Sequence, residues 1–260
     1  MKVEKTFIKV DVQKNFLIFA RHLHLMLSPQ IILIDKPFRW TSFDVVKKVK
    51  NVLSNNLPLQ DGKKTQLKVG HAGTLDPLAT GLLILCTGNE TKKISVIQDA
   101  EKEYSGSFIL GSTTPSYDLE TEVSEGKSYD HITSAMIHEA VEKFKGKIQQ
   151  VPPAHSAVKI NGVRAYSKAR KGQRVELEPK EVTIKEFVIT NIEMPKVEFR
   201  VTCSKGTYIR SLAHDFGTFL GCGALLASLC RNRIGDYSLD NALSMEEFIS
   251  KYSSETTLLV

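Results

Sequence analysis

Cysteine is scarce in this 260-residue chain, and the four present (Cys86, Cys203, Cys222 and Cys230) share no C-x-x-C spacing. That pattern points away from a zinc site and from a disulfide framework, so free thiols in a reducing cytoplasm are the expectation. No apolar run reaches the roughly 18 residues that cross a membrane. The apolar stretch 16–20 is too short for the core of a secretory signal. A Walker loop is missing as well. Gly221-Cys222-Gly223 through Ala227 has the outline of a dinucleotide fingerprint, but it follows a helical pattern rather than a strand. Ser211, His214 and Asp215 sit within one helical turn, where base and nucleophile cannot adopt triad geometry.

What is present is an ordinary globular composition, 42% hydrophobic and 25% charged, with a formal net charge of +6. A positive balance favours a polyanionic partner. Its distribution is more telling than its total. Between Lys159 and Lys180 there are seven basic residues (Lys159, Arg164, Lys168, Arg170, Lys171, Arg174, Lys180) against Glu176 and Glu178, interleaved with Gly162, Gly172 and Tyr166. Such a loop suits neutralisation of an RNA backbone together with stacking on bases.

The segment that carries chemistry is Gly70-His71-Ala72-Gly73-Thr74-Leu75-Asp76-Pro77-Leu78-Ala79-Thr80-Gly81, directly before the apolar run Leu82–Leu85. Its glycines permit backbone angles closed to other residues, and Pro77 pushes Asp76 out of helical geometry. The carboxylate is therefore displayed in a turn instead of capping a helix. Around it, the periodicity predicts a helix through Val45, Val46, Val49, Val52 and Leu53, capped by Thr41 or Ser42. Strands are expected at 82–86, 104–110, 182–192 and 197–203, a polar loop at 54–67 and a turn-rich stretch at 112–130. Further helices are expected through Ile132 to Phe144, through Ile209 to Leu220, in a short piece containing Leu225, Leu226 and Leu229, and from a capping box at Ser244-x-x-Glu247. The pattern is α+β, built on a large sheet, and lacks regular βαβ alternation.

Five ordered segments resemble the TruB family of pseudouridine synthases. The Gly70–Gly81 string, followed by Asn89 to Lys93, is similar to its signature. Ile34-Asp35-Lys36-Pro37 with Trp40 to Val46 is similar to its opening motif, and Lys102-Glu103-Tyr104 running to Leu110-Gly111 to its tyrosine strand. Val151-Pro152-Pro153, Ser156 to Lys159, Gly162, Tyr166 and Ala169-Arg170 resemble its substrate-gripping insertion, and Lys205 to Leu212 its second catalytic segment. The resemblance covers residues 31 to 240, and five motifs in order are far more specific than any one.

This resemblance implies a pseudouridine synthase fold: a large mixed β-sheet with flanking helices, a central RNA-binding cleft and a basic, thumb-like insertion around 152–180. The implied activity converts uridine 55 in the T loop of tRNA to pseudouridine, without cofactor or metal, by a stand-alone cytoplasmic monomer that needs no guide RNA and no membrane. Asp76, Tyr104 and Arg210 are the catalytic candidates. A cation near a helix N-terminus is unfavourable without an anionic partner; the family's arginine falls on Arg210, and Asp76 is the expected partner, with its pKa depressed by the pairing. Tyr104 would stack on the base and is a candidate for taking the C5 proton. Tyr208 and Leu229 would wall the uracil pocket, His71 would fill the space left by flipped bases, and Lys36 and Lys159 are candidate phosphate contacts.

Residues 1–30 are expected to be a peripheral extension in which Met26 is a candidate start and His22 and His24 suggest no metal site alone. Residues 241–260 are expected to form a helix and tail too short for the C-terminal RNA-binding module of longer bacterial members. One departure from the family pattern is Arg39, which stands where a glycine is usual. If that position needs a positive φ, arginine strains the turn; it could instead add a phosphate contact. Two rival readings stay open: a noncatalytic RNA-binding or tRNA-folding factor, and the RNA-guided branch of the same superfamily. Retention of Asp76, Tyr104 and Arg210 together argues for catalysis.

Overall fold

The computed structural model describes residues 28–55, 57, 66–156, 158–160, 162–173 and 175–253. His22, His24 and Met26, and most of the expected loop 54–67, lie outside the described residues. The chain begins with β1 (Ile31–Lys36), α1 (Ser42–Asn55), β2 (Val69–His71) and β3 (Ala79–Thr87). It continues through α2 (Ile94–Asp99), β4 (Lys102–Leu110), β5 (Ser112–Thr113), β6 (Ser124–Glu125) and α3 (Ser134–Lys143). Then comes β7 (Gly146–Gln150), and the insertion that follows holds the small hairpin β8 (Lys159–Ile160) with β9 (Val163–Arg164), and α4 (Ala165–Ala169). The last part comprises β10 (Lys180–Glu193), β11 (Lys196–Cys203), α5 (Ile209–Phe219), β12 (Ala224–Ile234), β13 (Tyr237–Ser238) and α6 (Met245–Ser253).

Among the described residues, nine strands form one mixed sheet in the order β1-β3-β12-β4-β11-β10-β7, with β2 beside β3 and β13 beside β12. The β3–β12 pairing is parallel and the others are antiparallel. None of the described helices is long and apolar enough to cross a membrane.

One expected element is corrected. The leucines at 225, 226 and 229 belong to the central strand β12, where the sequence predicts a short helix. Ala224, Leu225 and Leu226 are all buried: at this end β12 pairs with Leu110, Ile109 and Phe108 of β4, and both of its faces are covered. A strand buried on both faces reads as a continuous apolar run, which periodicity cannot separate from a helix.

Helix starts follow local chemistry. The Thr41 amide donates to Asp44 Oδ2 at 2.9 Å and the Asp44 amide to Thr41 Oγ1 at 3.1 Å, a reciprocal cap that opens α1. Ser244 and Glu247 do the same for α6, at 2.8 and 3.1 Å. Thr133 caps α3 by accepting from the Met136 amide. The expected C-terminal helix packs into one core: Met245, Phe248 and Tyr252 are buried with Val45, Val49 and Leu53 of α1 and Ile34 of β1. A second core lies where α3 and α5 meet β4, β10 and β11. Its centre is Phe108, Phe187, Phe199 and Phe216, with Phe108 stacked on Phe199 at 4.2 Å between centroids. Each such buried ring stabilises the fold by roughly 1.5–3 kcal/mol.

Gly81 and Arg39 are among the positions near the site with left-handed backbone. Gly81 (φ +96°) lies where a Cβ would come within 2.5 Å of the Arg231 carbonyl oxygen, so only glycine lets β3 and β12 approach this closely. Arg39 has φ 68°, so this turn does hold a non-glycine residue in the strained region. Arg39→Gly is therefore expected to stabilise the protein by about 1 kcal/mol, seen in thermal unfolding as a midpoint a few degrees higher. An unchanged or lower midpoint would mean that arginine side-chain contacts offset the strain.

Candidate active site

Asp76 lies at the end of a loop that four neighbouring segments tie down. The Ser42 hydroxyl accepts from the Leu75 amide at 2.9 Å and donates to the Leu75 carbonyl at 3.1 Å. The Arg39 amide donates to the Pro77 carbonyl at 2.8 Å. Lys36 Nζ donates to the carbonyls of Pro37 (3.0 Å), Trp40 (2.6 Å) and Pro77 (3.4 Å). On the other flank, Arg231 donates from Nε to the Leu82 carbonyl at 2.8 Å, from Nη2 to Gly73 at 3.1 Å and from Nη1 to Thr74 at 3.4 Å.

Lys36 is therefore reassigned. Its side chain is fully buried and engaged with backbone carbonyls, and burial brings its pKa down to about 8. The expected phosphate contact fails because the ammonium cannot reach solvent-borne RNA. It joins the opening motif to the Asp76 loop instead.

Arg210 forms the other side of the carboxylate's environment. It is the second residue of α5 and 5% exposed, with Nε 3.0 Å from Asp76 Oδ2 and 3.6 Å from Asp118 Oδ2. Nη2 donates to the His155 carbonyl at 3.0 Å and Nη1 to the Ser116 carbonyl at 3.4 Å. The expected partnership with Asp76 is present, but the expected pKa direction is corrected. Crowding by the surrounding protein pushes the Asp76 carboxyl above the ordinary carboxylate value; Arg210 opposes this, while Asp118 and Glu120 reinforce it. The Asp76 side chain nevertheless keeps 41% of its surface open, facing a cleft of about 880 Å³.

The same cleft is lined by Tyr104, Tyr208, His71, Leu229 and Arg210, so six of the eight predicted site residues converge, counting Asp76. Tyr104 is buried on β4; burial raises its phenol pKa and the adjacent Arg231 guanidinium opposes the rise. Tyr208 is held by Gln150, whose side chain accepts from its amide at 2.8 Å and donates to its carbonyl at 3.1 Å. Burial lowers the His71 pKa, with a backbone contact at Gly73 opposing it and Arg231 adding to it. Lys159 lies on β8, paired with Arg164 of β9; its side chain lies outside the described residues. In the insertion, the guanidinium carbons of Arg164 and Arg170 lie 5.9 and 5.6 Å from the Tyr166 ring centroid, and Arg170 pairs with Glu120 at 2.6 Å.

Three residues of this site escape sequence reasoning. Asp118 sits in a stretch legible only as turns, Arg231 is one charge inside a buried strand, and Gln150 ends an unremarkable edge strand. Ser211 and His214 form no triad. Ser211 donates to the Val151 carbonyl at 2.7 Å, and His214 stacks on Tyr117 at 4.0 Å.

A family model described as TruB family pseudouridylate synthase (N terminal domain) matches residues 62–209. Similar curated proteins bear the name tRNA pseudouridine synthase B. That of Flavobacterium johnsoniae is 52% identical over 222 residues, covering 85% of this chain and 95% of its own. That of Chloroherpeton thalassium is 48% identical over 223 residues, covering 85% and 90%. Among solved structures, a chain of a Cbf5-Nop10-Gar1 complex superposes with TM-score 0.68 at 26% identity, covering 93% of this chain and 59% of its own. A chain of an archaeal box H/ACA sRNP Nop10-Cbf5 complex gives 0.62 at 25% identity, covering 88% and 56%. This chain thus spans less than two thirds of those longer chains.

Proposed function

Since the chain belongs to the TruB family of pseudouridylate synthases, we propose that the uridine it isomerises in tRNA is uridine 55 of the T loop, with Asp76 as the carboxylate that opens the glycosidic bond. The observation that carries this reading is the Asp76–Arg210 pair, 3.0 Å apart on the wall of a cleft of about 880 Å³ that Tyr104, Tyr208 and Leu229 also line.

The isomerisation breaks the ribose C1′–N1 bond, turns the base and joins C1′ to C5. Asp76 acts by one of two routes. Its oxygen bonds to C1′ as the electron pair leaves with N1, or it takes the C2′ proton to give a glycal. On the first route C5 then bonds to C1′ as the Asp76–C1′ bond breaks and frees the carboxylate; on the second C5 adds to C1′ of the glycal as Asp76 returns the proton to C2′; in both, the C5 proton is then lost and N1 takes up a proton. Substrate and product have the same formula. Arg210 orients the carboxylate, Tyr104 stacks on the base and is placed to assist loss of the C5 proton, and Tyr208 and Leu229 flank the uracil. The nucleotide must leave its stack at a cost of a few kcal/mol, and His71 fills the space it vacates.

The enzyme works alone in the cytoplasm, as a monomer and without a guide RNA. Supporting this, the tRNA pseudouridine synthase B relatives match along 90–95% of their own length, against 59% for the Cbf5 chain. Arg164, Lys168 and Arg170 contact phosphates. Replacing all three by glutamine is expected to flatten the slope of log Kd against log salt by about 2 to 3, near 0.9 per contact. An unchanged slope would move the phosphate contacts elsewhere.

Tritium release from tRNA labelled at uracil C5 tests the reading. One equivalent per tRNA, abolished when cytidine replaces uridine 55, is expected. Release from the altered tRNA would keep the chemistry and discard the target; tight binding without release would favour a noncatalytic RNA-binding protein.

A further inference from the structure

Phe43 is the most exposed aromatic side chain among the described residues, 69% open to solvent. The other exposed rings have neighbours: Phe219 meets Phe144 edge-on at 6.2 Å, and Phe38 lies under the Arg39 guanidinium at 5.6 Å. Phe43 has no ring or cation partner among the described residues, and it lines the cleft that contains Asp76.

Its backbone is fixed relative to that carboxylate. Phe43 follows Ser42, whose hydroxyl holds both the amide and the carbonyl of Leu75, and Leu75 precedes Asp76. The Arg39 amide and Lys36 Nζ tie the same segment to Pro77, on the other side of Asp76. The start of α1 and the catalytic loop are therefore one body. The ring is thus held open to solvent at a set distance from the reacting carboxylate, where an RNA loop entering the cleft would meet it.

Drawing a uridine into the cleft strips its neighbours of a stacking partner. A ring beside the carboxylate can replace that partner for any base, because every base has a π-face. We propose that Phe43 is a stacking platform for an unpaired base of the RNA loop, adjacent to the nucleotide that reaches Asp76. This rests on the tRNA-loop reading above. The ring acts in binding and register, and it takes no part in proton or bond transfer.

The test compares wild type with Phe43→Ala, Phe43→Leu and Phe43→Trp on a T stem-loop RNA, measuring Kd, KM and kcat. Loss of the ring is expected to raise Kd and KM about tenfold, with kcat at saturating RNA changed by no more than about twofold. Leucine should behave like alanine, since area without a π-face is insufficient, and tryptophan should bind like the wild type. RNAs made abasic at one unreactive loop position at a time locate the partner: at one position, base removal should weaken the wild type but not Phe43→Ala. Wild-type affinity in Phe43→Ala, equal affinity for leucine and phenylalanine, or the lack of any such position would overturn the platform. Wild-type product formation on the same RNA separates the two claims. If the wild type forms no pseudouridine there, the functional reading fails and takes the platform with it; normal product with unchanged Phe43→Ala binding sinks the platform alone.

Discussion

Asp76→Asn should reduce pseudouridine formation by a factor of about 10⁴ or more, while tRNA affinity stays close to that of the wild type. The amide has the shape of the carboxylate, so the cleft wall keeps its form, but it has no anionic oxygen to bond to C1′ or to take the C2′ proton. The same substitution should not lower the thermal midpoint. Asp76 is a crowded carboxylate whose pKa is raised on folding, so the folded state holds its proton more tightly than the unfolded state. Its contribution to stability therefore falls as pH rises from the ordinary carboxylate value through the folded one. Asparagine removes that loss, and Asp118 remains as a counter-charge for Arg210. The midpoint difference, variant minus wild type, should accordingly grow from acid to neutral pH. Wild-type activity should fall on the acid side as Asp76 takes up its proton, at a pH above that of an ordinary carboxylate. Single-turnover assays and melts across pH would check both halves. A variant retaining a few per cent of the wild-type rate would remove Asp76 from the chemistry.

That a loop aspartate could be picked out at all reflects where the sequence concentrates its constraints. Gly81 must accept a backbone approach that no side chain permits, and Pro77 restricts Asp76, so both leave marks at fixed spacing. The Ser244–Glu247 cap was legible for the same reason, being local chemistry between residues three apart, and so was a cap at Thr41 or Ser42, of which the structure uses Thr41 with Asp44. What stayed hidden was long-range. Lys36 looks like a phosphate ligand in sequence because lysine is usually exposed; only the fold shows its ammonium closed in by Pro37, Trp40 and Pro77 carbonyls. Arg231 bonds to residues about 150 positions away, a distance over which no periodicity carries information. The Leu225–Leu226 doublet was ambiguous for a third reason: a strand buried on both faces has no polar face to reveal its period. The expected fall in the Asp76 pKa failed because pairing is visible in a motif, whereas desolvation is a property of everything packed around it.

The sharpest consequence of this packing concerns Arg210, whose one guanidinium faces Asp76, Asp118 and the carbonyls of Ser116 and His155. Arg210→Met leaves Asp118, 4% exposed, as a buried charge without its cation, which typically costs about 3–5 kcal/mol. For a domain of this size that corresponds to a midpoint lower by about 10 °C. Activity should fall by at least about 10²-fold, since Asp76 loses the group that aims it and small misplacements are expensive in rate. Stability and rate can be separated by adding Asp118→Asn. With the stranded charge neutralised, the double variant should recover much of the midpoint and none of the rate, because Asp76 still lacks its partner. Arg210→Lys should fall between: an ammonium can meet one carboxylate but lacks the planar fork that also reaches Ser116 and His155. Thermal melts and single-turnover rates at saturating tRNA on these three proteins would settle the role. If the double variant regained activity together with stability, Arg210 would be a structural brace for Asp118, and the orientation of Asp76 would have to come from the Ser42, Lys36 and Arg231 ties to its loop.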